Sequence, residues 1–135
     1  MFKNFASDAL GLSDIGKVIA PADYNQTESD DYILAEEGER IFMLIKTKSD
    51  EYCFTNLAII HVDGTSAMSK KRTMRRYTYL ANDLTDVRLE TAGSIDLDIE
   101  IELVIGNNPI KIDIHKKYIK EITQLYKALV SISQK

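Results

Sequence analysis

The chain has 135 residues, which is enough for a single domain with a substantial core. Its content of 44% hydrophobic and 28% charged residues is typical of a folded globular protein and excludes a disordered chain. The net charge of −4 argues against general nucleic-acid or membrane-surface binding, and no apolar run approaches the roughly 20 residues of a membrane helix.

Residues 1–39 are the irregular part of the chain, and we expect them to form an N-terminal helical extension packed on the domain. The early polar residues do not fit a signal peptide. Apolar spacing predicts a short helix over 12–19, ended by Pro21. A second short helix is predicted over 31–37, with Gly38 as its C-terminal stop.

Residues 40–135 form the predicted main domain, because from Arg40 the apolar pattern changes to the period of β-strands. Asp63-Gly64 and the segment 106–109 are the strongest turn signals. Seven strands are predicted, at 41–47, 52–55, 57–62, 68–80, 85–91, 94–105 and 110–114.

The most regular stretch runs from Ile95 to Leu103, where apolar and acidic residues alternate without a break. Successive side chains of a strand point to opposite faces, so one face is aliphatic and the other carries carboxylates. This pattern predicts an antiparallel sheet with one face in water.

Apolar residues then recur every three to four positions over 119–132, which predicts an amphipathic helix of about four turns. We expect its face of Ile122, Leu125 and Leu129 to pack on the sheet. The predicted fold class is mainly β: a bent, seven-stranded antiparallel sandwich or half-open barrel, capped by a C-terminal helix and preceded by short helical segments.

This order of elements resembles that of a pleckstrin homology (PH) domain. Residues 54–64 (FTNLAIIHVDG) are similar to a hairpin of a bacterial PH-like family that was first catalogued as a domain of unknown function. Residues 69–72 (SKKR) resemble the basic start of that family's next strand, and 90–100 (ETAGSIDLDIE) resemble its most specific segment. The similarity covers roughly residues 30–133.

The resemblance implies a non-catalytic binding or scaffold module that assembles into ring-like homo-oligomers. The alternative function is peripheral binding of anionic, phosphoinositide-like lipid through the basic segment 70–76. We expect protein contacts in preference to a membrane surface, and no nucleic-acid partner. The sequence does not identify any other protein partner.

The basic segment contains five cations within seven residues, which are Lys70, Lys71, Arg72, Arg75 and Arg76. One interpretation is a surface for an anionic ligand or an acidic partner. The other is a solubilising strand whose charges protect a sheet edge from aggregation.

The acidic strand has four carboxylates on one face, which are Asp96, Asp98, Glu100 and Glu102. One interpretation is a solvated face that pairs across strands with Arg88 and Lys111. Another is an oligomer contact, in which the acidic face of one copy meets the basic segment of the next in a head-to-tail arrangement.

Catalytic and metal-binding signatures are weak. The two histidines, His61 and His115, and the single cysteine, Cys53, lack the spacing of a zinc site, so no metal and no cofactor are expected. A Cys53–His61 nucleophile pair is conceivable, but we expect Cys53 to be a buried small hydrophobe. The sequence predicts no enzyme, and an unpaired cysteine is consistent with the cytoplasm.

Overall fold

The computed structural model describes residues 15–65, 71–91 and 97–135, which form two antiparallel sheets and a C-terminal helix. The first sheet contains β1 (Lys17–Val18), β2 (Ile41–Lys46), β3 (Asp50–Thr55), β4 (Ala58–Asp63) and β5 (Thr73–Thr78), in that order. The second contains β6 (Leu84–Glu90), β7 (Asp98–Ile105) and β8 (Asn108–His115), also in sequence order. A 3-10 turn (Lys116–Tyr118) leads into helix α1 (Ile119–Ser133). The mainly β fold with a terminal helix is confirmed.

The N-terminal segment contains the largest departures from the predicted elements. The described part of the predicted helix 12–19 includes β1 instead, because Lys17 and Val18 pair with the end of β2. The predicted helix 31–37 is replaced by 3-10 turns, and Gly38, at a φ of 83°, ends the last of them as expected. Three such turns span Pro21–Gln26, Ser29–Tyr32 and Ala35–Glu37.

The N-terminal segment covers one face of the first sheet, which we call the outer face. Four side chains of that face are fully or almost fully buried, which are Leu44, Cys53, Ile60 and Val62. Partly buried side chains from 19–41 pack against them, which are Ile19, Tyr24, Ile33 and Ile41. The central strands β2, β3 and β4 are therefore buried on both faces, which explains their nearly continuous apolar runs.

The main core lies between the inner faces of the two sheets and helix α1. Burial alternates along the whole of β7, as the acidic and apolar alternation predicts. The helix contributes Ile122, Leu125 and Leu129, each at most 1% exposed, so the predicted packing face is confirmed.

Tight turns set the hairpin registers. Gly106 and Asn107 both have positive φ (55° and 68°), as a type I′ turn between β7 and β8 requires. The predicted turn was two residues too long, because Asn108 and Pro109 already belong to β8. The long predicted strand 68–80 is confirmed only over β5, and its residues 68–70 lie outside the described residues.

Candidate interaction surfaces

The basic segment does not form one continuous surface, because its residues in β5 alternate between the two faces of the first sheet. Arg75 is aligned with His61 on the inner face, whereas Arg76 is aligned with Ile60 on the outer face. Lys71 is exposed, and Arg72 forms an ion pair with Glu28. Lys70 lies outside the described residues.

Arg76 is paired with the carboxylate of Glu39, a contact that was not predicted from the sequence. Its two terminal nitrogens each donate a 2.9 Å hydrogen bond to an oxygen of Glu39, whose side chain is completely buried. The Thr55 hydroxyl and the Leu34 amide donate to the same carboxylate, at 2.5 and 2.9 Å. Burial alone would raise the pKa of Glu39, but these hydrogen bonds and the charge of Arg76 outweigh it and lower the pKa.

A second buried carboxylate, Glu51, also fastens the N-terminal segment. Predicted to lie in a turn, Glu51 instead belongs to β3 and is 1% exposed. Its oxygens accept hydrogen bonds from the Glu28 amide at 3.0 Å, the Ser29 amide at 2.8 Å and the Ser29 hydroxyl at 2.6 Å. No sequence signal links these distant positions, because both contacts depend on how the segment folds back on the sheet.

The acidic face of β7 is solvated and partly neutralised, as one of the two interpretations predicted. An oxygen of Glu102 is 3.8 Å from Arg88 on β6, and an oxygen of Glu100 is 3.4 Å from Lys111 on β8. Both cross-strand ion pairs involve the predicted cations. Asp98 shares this face, and Asp96 lies outside the described residues.

The same face also contains a row of three carboxylates without a cation between them. Glu100 is directly opposite Glu90 on one side and Asp113 on the other. Like charges in directly opposite positions destabilise a sheet. Partial burial, followed by the charges of Asp98 and Glu100, raises the pKa of Asp113. This row was not predicted, because the alternation along β7 involves only one of the three strands that form it.

His61 belongs to an ordered polar cluster on the inner face. Its ring stacks on Tyr52, with centroids 4.5 Å apart and planes 10° from parallel. Its Nε2 is 2.9 Å from Oδ1 of Asp50. Burial, followed by the charges of Asp50 and Asp63, raises the pKa of Tyr52 to about 12, so its phenol is neutral at physiological pH. His115 instead ends β8 and caps the 3-10 turn that follows, and its Nδ1 accepts a hydrogen bond from the Lys117 amide at 3.0 Å.

Cys53 cannot form a nucleophile pair with His61. It is aligned with Ile60 on the outer face, whereas His61 is on the inner face of the same sheet. Cys53 is fully buried, and burial, followed by the charges of Glu39, Glu51 and Asp30, raises the pKa of its thiol to about 12. The expected buried small hydrophobe is confirmed, and thiolate chemistry is disfavoured.

Within 15–65, 71–91 and 97–135, no group of three or more His, Cys, Asp or Glu side chains is arranged to hold a metal ion. In the same ranges, no helix combines the length and the apolar character needed to span a bilayer.

Two antiparallel sheets around one core, with a C-terminal helix packed at their side, define a PH-like domain. The family model of the bacterial PH domain matches residues 9–133, and the chain belongs to this family. It is 57% identical over 134 residues to the uncharacterized protein YvbH of Bacillus subtilis strain 168, across 99% of this chain and 66% of that protein.

Solved structures agree with this assignment. A PH domain containing protein from Exiguobacterium sibiricum 255-15 is 48% identical, with a TM-score of 0.82 over 89% of this chain and 62% of that one. A DUF1696 family protein with a pleckstrin-homology domain, from Shewanella loihica PV-4, shares the fold at 22% identity. Its TM-score is 0.65, over 88% of this chain and 97% of that one. The chain thus spans somewhat less than two thirds of the Exiguobacterium protein and about two thirds of the Bacillus one.

Proposed function

We propose that the chain is a non-catalytic binding module of the cytoplasm that assembles with copies of itself. The contact joins two unlike surfaces. One is the acidic face, defined here as Glu90, Asp98, Glu100, Glu102 and Asp113 on the second sheet. The other is the basic end, defined as Lys71 and Arg72, which immediately precede β5.

The observation that carries this proposal is the row of Glu90, Glu100 and Asp113 across three strands, in which only Glu100 has a cation partner among the described residues, Lys111 at 3.4 Å. Burial, followed by the charges of Asp98 and Glu100, raises the pKa of Asp113, so repulsion within the acidic face contributes to the shift. A cationic partner that binds over the row relieves that repulsion. The acidic face is therefore suited to bind a positively charged surface.

The basic end is the matching surface because its cations are accessible. Lys71 is exposed and forms no ion pair within the described part of the chain. The Arg72 side chain is 44% exposed, and its partner Glu28 is also on the surface, so this pair can exchange for an intermolecular one. Because the two surfaces differ, the contact is head-to-tail and closes into a ring where the rotation between copies permits.

Complementary variants test this contact. Variant A (Glu100→Gln and Asp113→Asn) lacks the acidic row but retains the basic end. Variant B (Lys71→Gln and Arg72→Gln) lacks the basic end but retains the acidic row. We expect light scattering to show an assembly for the wild type, monomers for each variant alone, and a dimer for an equimolar mixture of A and B.

Salt provides a second measurement, because exposed charges are screened within about 8 Å at physiological ionic strength. The wild-type mass should fall as salt rises. A monomeric wild type at low salt, or a mixture of A and B that stays monomeric, would contradict the proposal. Lys120→Gln and Lys127→Gln, which remove two exposed cations of helix α1 outside both surfaces, serve as the matched control and should assemble normally.

Lipid binding is the second candidate. It is favoured by Lys71 and Arg75, which are exposed and have no ion pair with any other described residue. The ion pairs of Arg72 with Glu28 and of Arg76 with Glu39 reduce the cations that remain for a headgroup. Co-sedimentation with vesicles that contain 30% phosphatidylserine tests this candidate. Pelleting that variant B abolishes would favour lipid over self-assembly.

A further inference from the structure

We propose that the cavity beside His61 binds a dipeptide-sized zwitterion, with Arg75 holding the carboxylate and Asp63 holding the ammonium group. The cavity measures about 600 Å³, within the range of small-molecule sites. It lies between the inner face of the first sheet and the start of β8. This inference is independent of self-assembly, because none of the residues in variants A and B lines the cavity.

One wall of the cavity is aromatic and fixed in position. Tyr52 and His61 are directly opposite on β3 and β4, and their rings are stacked. Asp50 anchors the far side of His61 through its Nε2, so the ring cannot turn freely. Tyr77, at 9% exposure, continues this wall toward the core. Such a rigid wall suits a flat or aromatic ligand side chain.

Charged side chains of both signs line the cavity, and one of them, Lys111, is paired with Glu100. Arg75 and Asp63 both line it and are exposed, and neither forms an ion pair within the described residues. Arg75 is opposite His61, and Asp63 is opposite Thr73. The two are therefore diagonal neighbours, about 7–8 Å apart at the backbone.

The backbone spacing of Arg75 and Asp63 favours a ligand whose two charged groups are well separated. The ammonium nitrogen and carboxylate carbon of one amino acid are only about 2.5 Å apart, whereas those of an extended dipeptide are roughly 6 Å apart. The separation of the charged ends of a dipeptide matches the backbone spacing of Arg75 and Asp63 more closely than that of a single amino acid. A polyphosphate headgroup fits poorly, because Asp63 and the directly opposite Asp50 repel it.

The probe is Gly-Tyr, whose ring suits the aromatic wall, titrated into the full chain and followed by calorimetry and by amide chemical shifts. We expect shifts centred on Tyr52, His61 and Asn108. Acetyl-Gly-Tyr, which lacks the ammonium group, and Gly-Tyr amide, which lacks the carboxylate, should each bind at least about tenfold more weakly, as expected for a lost charge-assisted hydrogen bond.

Two variants assign the two ends of the ligand. Arg75→Gln should bind Gly-Tyr about tenfold more weakly and no longer distinguish it from the amide. Asp63→Asn should also bind Gly-Tyr about tenfold more weakly and should no longer distinguish Gly-Tyr from acetyl-Gly-Tyr. Arg40→Gln, which changes an exposed arginine that does not line the cavity, is the matched control and should bind normally. Thermal melting checks that every variant is folded.

Three results would overturn the inference. They are no detectable binding of Gly-Tyr at 10 mM, unchanged binding by both Arg75→Gln and Asp63→Asn, and displacement of Gly-Tyr by inositol hexakisphosphate at lower concentration. The last result would assign the cavity to phosphorylated ligands instead.

Discussion

Arg76 and Glu39 lie 37 positions apart in the chain, yet they form a two-pronged ion pair with both hydrogen bonds at 2.9 Å. The pair joins β5 to the end of the N-terminal segment. Since the Glu39 side chain is completely buried, its charge depends on this one cation and on the hydrogen bonds from Thr55 and Leu34.

Replacement of Arg76 should therefore strongly destabilise the fold. Arg76→Met leaves the Glu39 carboxylate buried without its cation, and we expect a loss of about 3 kcal/mol in the free energy of unfolding. Urea denaturation measures this loss. Arg75→Met, on the same strand but without an ion pair in the described residues, is the control and should change stability by less than about 0.5 kcal/mol. Equal urea midpoints for the two variants would contradict the structural role of the pair.

Acid should weaken the same contact. The folded pKa of Glu39 lies below its ordinary value of 4.5, because hydrogen bonds and the charge of Arg76 outweigh the opposing effect of burial. A carboxylate with a lowered folded pKa contributes stability that is complete above the unfolded pKa and is lost as the pH falls through the folded pKa.

The stability difference between the wild type and Glu39→Gln should therefore shrink between pH 6 and pH 3. Chemical denaturation at a series of pH values measures it. Glu37→Gln, which changes an exposed carboxyl group nearby, controls for net charge. A stability difference that grew toward pH 3 would contradict a lowered pKa of Glu39 in the folded protein.

The terminal helix should be integral to the core. Leu129 is 1% exposed and packs in the main cluster between the sheets and α1. Leu129→Ala removes buried methyl groups and leaves a cavity, so we expect a loss of about 3 kcal/mol. Leu80→Ala, at a fully exposed leucine, should leave the unfolding midpoint unchanged. If the two variants had the same unfolding midpoint, helix α1 would not be packed in the core as described.

The Cys53 thiol should be inert in the folded protein. Burial and the surrounding carboxylates raise its pKa to about 12, so almost no thiolate exists at pH 8. Ellman's reagent should react with about one thiol per chain in 6 M guanidinium chloride and with almost none in buffer. Rapid labelling of the native protein would show that the N-terminal cover opens readily.

Local patterns predicted the second sheet and the helix well. The alternation along β7, the turn at Gly106-Asn107 and the apolar face of α1 are all properties of consecutive residues, and they are confirmed. The cross-strand cations Arg88 and Lys111 were also predictable, because hairpin neighbours are close in sequence.

The rest could not be predicted from local patterns, because it depends on contacts between distant segments. Glu39 and Glu51 look like surface residues in the sequence and become buried only when 15–39 folds over the first sheet. Apolar spacing over 12–19 predicted a helix, but its described part pairs with β2 instead. The five cations of 70–76 looked like one patch until the strand geometry separated Arg75 from Arg76.

The packing of the N-terminal segment on the outer face also has a consequence for the design of truncated variants. A polypeptide that starts at residue 40, where the strand pattern begins, retains seven of the eight strands found in the described residues but exposes Leu44, Cys53, Ile60 and Val62. Such a fragment would aggregate on expression through its exposed apolar face. A useful truncation must therefore begin upstream of Gly16, which forms a β-bridge with Ile114.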